Sequence, residues 1–117
     1  MNIFEKRIYD APSSADGQRI LVDRLWPRGI KKQDANITAW PKEITPSNEL
    51  RKWYHEDIEQ RWEAFRERYL TELAQYASQR EQLQQLALTE TITFVTAAKN
   101  QGHNHVTVLI EWLKVAD

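Results

Sequence analysis

The chain has 117 residues, no cysteine and a formal net charge of −1, from 16 Lys plus Arg against 17 Asp plus Glu. That length suits a single domain over residues 1–117 with one core, able to fold without a disulfide or metal staple. The missing cysteines exclude thiolate metal ligands and cysteine nucleophiles, and the near-zero charge argues against a generic nucleic-acid binder, whose affinity needs a basic face.

The first residues, Met1 to Arg7, do not form a charged-then-apolar leader. No apolar run is long enough to cross a bilayer, so a cytoplasmic protein with no membrane partner is expected. The chain is rich in tryptophan, with five, and these are expected to build an aromatic core.

In chain order, Ile3 to Tyr9 predicts a strand, with Phe4, Ile8 and Tyr9 favouring that conformation. Asp10 to Gly17 is dense in turn formers and reads as a loop, with Ser13 and Ser14 as turn residues. Arg19 to Arg24 contains the unbroken apolar run Ile20-Leu21-Val22, which suits a strand buried on both faces. That strand should stop near Trp26, because Pro27 has no N–H to give to a ladder. The short link between these two strands favours antiparallel pairing, which would put Asp10 and Asp23 at opposite ends.

Asn36 to Trp40 suits a short helix, and Thr45-Pro46 fits an N-cap and first turn for a helix through Leu50 and Trp53. Asp57 predicts a second cap, with Gln60 three residues on. The stripe Trp62, Phe65, Tyr69, Leu73 and Tyr76 follows at steps of three and four, read as core rather than as a cofactor box. Gln79 to Leu88 continues helically with Leu83 and Leu86 inward. Thr91 to Ala97 predicts a strand and Lys99 to Gly102 a loop. A last helix from His103 or Asn104 should bury Val106, Leu109, Ile110 and Leu113. The expected fold is α/β, in the order β-β-α-α-β-α, with helices packed on a small, mostly parallel sheet.

One string is unusual: Val22-Asp23-Arg24-Leu25-Trp26-Pro27-Arg28-Gly29. With it come Pro46-Ser47, Glu49-Leu50-Arg51-Lys52-Trp53, Phe65 with Tyr69, Ala97-Ala98-Lys99-Asn100 and Asn104-His105. Together these resemble the bacterial domain-of-unknown-function family 488, in its YeaO-like branch, over nearly the whole chain. The resemblance implies a small bacterial cytosolic α/β protein with signature positions Asp23, Arg24, Trp26, Pro27, Arg28, Gly29, Lys99 and Asn104. It departs in opening the last helix with Val106-Thr107-Val108, where the family has a small residue, which implies altered packing on the last strand.

Asp23, Arg24 and Arg28 sit at and beyond the end of an apolar strand, and Lys99 sits just past the end of the last one. Parallel neighbours would bring these groups to one sheet edge, where ligands of open α/β sheets bind. The last helix would add a partly positive N-terminus. Arginine forks suit phosphates and carboxylates, so a small anionic ligand is expected, with Arg24, Trp26, Arg28, Lys99 and Asn104 binding it. Asp23 and His103 are the candidate acid–base groups, and Asn104 also fits a helix cap. The competing reading of the same residues is an internal ion pair in which Asp23 holds Arg24 or Arg28.

No metal and no cofactor are expected. The side chains of His103 and His105 would point about 200° apart at a helix start and could not chelate together, and His55 is the one other histidine. Three glycines cannot make a phosphate loop, and no Gly-x-Ser-x-Gly elbow is present. Two alternatives stay open. One is a nucleic-acid-binding or regulatory module using the basic cluster Arg24, Arg28, Lys31 and Lys32, with Trp26 and Trp40 to stack bases. The other is a protein–protein interaction domain without catalysis.

Overall fold

The computed structural model describes residues 1–100 and 102–114. Three strands, β1 (Ile3–Arg7), β2 (Gln18–Leu21) and β3 (Ile92–Thr96), form an all-parallel sheet in the order β1-β3-β2. The central strand β3 is buried along its whole length, which its run Ile-Thr-Phe-Val-Thr allows. Five helices surround the sheet: α1 (Lys32–Ala35), α2 (Asn48–His55), α3 (Ile58–Leu73), α4 (Ala77–Thr89) and α5 (His105–Lys114). The architecture is α/β, as expected.

Alternate strand residues feed two apolar layers. Ile20, Ile92 and Phe94, with Val22 just past β2, pack against Phe65, Tyr69 and Leu73 of α3 and Val106, Leu109 and Leu113 of α5. Leu21, Val95 and Ile8 pack on the opposite face against Ala35, with Trp26, Ile30 and Trp40 partly buried around them. Asp57 caps α3 as predicted, its Oδ1 accepting from the Gln60 N–H at 3.3 Å. Val106 and Val108 at the start of the last helix are both fully buried.

Several expectations change. β1 and β2 are not antiparallel partners, because β3 lies between them and runs parallel to both. The connecting segment crosses the face of β3, where the Thr93 hydroxyl donates to the Asp16 carbonyl at 2.7 Å. Asp10 and Asp23 therefore follow strands that point the same way. The crossing is held by a buried charge cluster in which Asp16 accepts from Lys6 at 3.1 Å and from Arg19 at 2.6 Å. Gly17 closes it with φ +62°, where a side-chain Cβ would come within 2.4 Å of the Thr91 carbonyl.

The short helix falls at Lys32–Ala35 and not at Asn36–Trp40, since Asn36 ends it in the left-handed region at φ 51°. The next residues run extended beside β2, with Leu21 N–H donating to the Ala39 carbonyl at 3.0 Å. Ser47, not Thr45, caps α2, and its Oγ accepts from Leu50 N–H at 3.2 Å. The Thr45 hydroxyl instead donates to the Lys42 carbonyl. A 3-10 turn over Ala74–Tyr76 divides the long helical stretch into α3 and α4.

Of the five tryptophans, Trp112 is buried and the others are half-buried. Trp53, for example, is flanked by the guanidinium groups of Arg61 and Arg68, 4.7 and 4.1 Å from its ring centre. An indole can serve as a wall between core and solvent, which places these rings around the core instead of in it.

Candidate functional site

Because β2 and β3 are parallel, the loops after them leave from the same sheet edge. Residues from those two loops and from α2 and α3 enclose a cavity of about 570 Å³. This is the place where the sequence expected the strand-end groups to converge, outside the strand carboxyl ends.

Asp23 is the best-anchored group there. Its Oδ1 accepts from the Thr96 hydroxyl at 2.6 Å, and its Oδ2 accepts from the Ala97 N–H at 2.7 Å. His105 Nε2 lies 3.0 Å from Oδ1. Burial acts to raise the Asp23 pKa, but the hydrogen bond and charge of His105, with Thr96 and Ala97, hold it below the ordinary value. An ionised carboxylate only accepts, so in this contact Nε2 of His105 carries the hydrogen. The side-chain partners of Asp23 are thus His105 and Thr96; neither Arg24 nor Arg28 is among them.

The other sequence-predicted residues take varied places. Arg24 lines the cavity but donates to the Pro46 and Thr45 carbonyls at 3.1 and 3.4 Å. Trp26 lines it too, its indole N–H held by the Ile30 carbonyl at 2.7 Å and its ring edge-on to Trp40. Lys99 is exposed at the cavity with no hydrogen bond or ion pair to any described residue. Arg28 is exposed and does not line the cavity.

Asn104 is buried and fully committed as the cap of α5. Its Oδ1 accepts from Val106 and Thr107 N–H, and its amide donates to Glu5 and to the Asn100 carbonyl. That cap also occupies N–H groups of the helix terminus that were expected to face an anion. His103 is exposed and stacks on Trp62, ring centres 4.8 Å apart. Its carbonyl accepts from the Tyr54 hydroxyl at 2.6 Å.

The cavity residues not singled out as site groups in the sequence include Arg51, Tyr54, His55 and His105. Arg51 has a buried Nε with no partner among the described residues. His55 is held below its ordinary pKa by burial first, then by the charges of Arg51 and His105. Tyr54 stacks on Phe65 with centroids 4.1 Å apart, and burial raises its hydroxyl to about 12. The pairing of Asp23 with a residue 82 positions away leaves no local signal. Arg51 could have been found, since it lies one helical turn before His55 and on the same side of α2.

Fold and cavity together define a small parallel α/β domain with a pocket at its strand carboxyl edge. A family model described as "Inactive DUF488-N3 subclade" matches residues 2–116, so the chain belongs to the DUF488 family. It is 50% identical over 114 residues to the uncharacterized protein YeaO of Escherichia coli (strain K12), covering 97% of this chain and 98% of that one. It is 42% identical over 107 residues to an uncharacterized protein of Mycobacterium tuberculosis (strain ATCC 25618 / H37Rv), covering 92% and 89%. No solved structure matches the chain. Among the described residues, no helix is long and apolar enough to cross a membrane.

Proposed function

We propose that the domain binds a small anionic ligand in this cavity and does not turn it over. The observation that carries the reading is a charge imbalance. In a chain of net charge −1, the cavity lining holds one carboxylate, Asp23, against Arg24, Arg51, Lys99 and all three histidines of the sequence. Asp23 is saturated by its own donors, whereas Arg51 and Lys99 have no protein partner among the described residues. A guanidinium and an ammonium at a cavity wall without a carboxylate partner suit a carboxylate or phosphate, which the planar guanidinium fork can hold through two hydrogen bonds.

Two features favour binding over catalysis. Among the described residues no serine, threonine or cysteine lines the cavity to offer a nucleophile of those types. The description of the subclade as inactive agrees with that. Arg28, placed outside the cavity, has no part in the proposed site, and in a site that does not turn its ligand over the acid–base role expected of Asp23 and His103 falls away.

The test is a thermal-shift series with phosphate, sulfate and simple carboxylates on the wild type and on Arg51→Ala/Lys99→Ala. A ligand at about a hundred times its dissociation constant should stabilise the wild type by roughly 2.7 kcal/mol, and the double variant should lose most of that shift. Equal shifts in both proteins, or none in either, would sink the reading.

A further inference from the structure

Three features of the same cavity point beyond a bare ion. Its volume of about 570 Å³ lies in the range of pockets that hold drug-sized molecules, of order 300–1,000 Å³, and far exceeds what an inorganic anion fills. Away from Arg51 and Lys99 much of the wall is apolar, formed by Leu25, Trp26, Pro27, Tyr54, Ile58 and Phe65. Leu25 is 64% exposed on that wall, an uncovered leucine in a cavity that the stacked Tyr54–Phe65 pair also lines.

The polar groups of the wall argue in the same direction. Both Asp23 oxygens, the Asn104 amide, the Trp26 indole N–H and the Arg24 guanidinium are bonded inside the protein. A hydroxyl-rich body such as a sugar would find those groups already taken. An apolar body needs none and gains by leaving water itself and by covering Leu25.

Resting on the anion reading above, we propose that the cavity takes an organic anion with an apolar body. The head, a carboxylate or phosphate, is held by Arg51 and Lys99, and an aromatic or branched body lies against Leu25, Ile58 and the Tyr54–Phe65 stack.

Calorimetric titration of the whole chain with phenyl phosphate, inorganic phosphate, a hexose phosphate and phenol tests this. Phenyl phosphate should bind at least about tenfold more tightly than either of the other phosphates, which corresponds to one apolar ring's worth of burial. Arg51→Ala should weaken all three phosphates. Leu25→Ser, at an exposed position that the fold does not need, should narrow the lead of phenyl phosphate. Equal, Arg51-dependent affinity for all three phosphates would overturn the apolar body and leave the anion site standing. Phenol binding as tightly as phenyl phosphate, with Arg51→Ala indifferent, would overturn the anion head. Silence in every titration would overturn both.

Discussion

Asp23 concentrates the chemistry of the strand edge in one side chain. It accepts from a hydroxyl, a backbone N–H and an imidazole, joining the loop after β2 to the end of β3 and the first turn of α5. Removing it leaves the Thr96 hydroxyl and Ala97 N–H without their acceptor. Asp23→Ala should therefore cost about 2–4 kcal/mol in chemical denaturation, the range for losing charge-assisted bonds and stranding their donors. The pH dependence follows from the lowered pKa. The unfolded chain binds a proton at Asp23 near the ordinary value of about 3.9, before the folded chain does. The contribution is complete above that value and is lost as pH falls through the lower folded pKa. Melting temperatures of Asp23→Asn should thus fall less steeply below about pH 4 than those of the wild type. Parallel acid limbs would show that the carboxylate is not held as described.

At the scale of elements, the crossing from β1 to β2 is the feature that makes the sheet parallel, and Gly17 is its tightest point. Its φ of +62° is combined with a close approach to the Thr91 carbonyl, whereas a Cβ added to Gly29, at φ +78°, would meet nothing within 4 Å. The two glycines separate strain from collision. Gly29→Ala should cost about 1 kcal/mol from backbone strain alone, and Gly17→Ala distinctly more, since β2 or Thr91 must also shift. Equal losses in urea denaturation would show that the crossing can relax. The α3 stripe of Phe65, Tyr69 and Leu73 was legible in the sequence because helical periodicity reports a buried face directly. The segment after Asn36 was not, because its extended conformation comes from pairing with the edge of β2 and not from its own residues.

For the molecule as a whole, the proposed anion would share its cavity with His55, and its binding would then be coupled to protons. An anion favours the charged form of each imidazole facing it. His55 starts below its ordinary pKa through burial and its cationic neighbours, so a bound anion pulls it upward. Binding should therefore take up protons near neutral pH, and affinity should rise as pH falls from about 8 to 6. Titration calorimetry in two buffers of different ionisation enthalpy measures the uptake. Buffer-independent heats and a flat affinity would place the imidazoles away from the ligand.

The apolar runs in the sequence determined by themselves that this is an α/β domain, that Thr91 to Ala97 holds a strand and which face of α3 is inside. Asp23 and Lys99 were also recognisable as strand-end groups, since their places depend only on where two strands stop. Only the tertiary structure decided that Asp23 faces His105, that Arg51 enters the cavity and that Arg28 does not. The physical reason is the crossing of β1 to β2 with β3 inserted between them. Local periodicity reports burial one element at a time, whereas these contacts are set by which elements become neighbours after the chain closes.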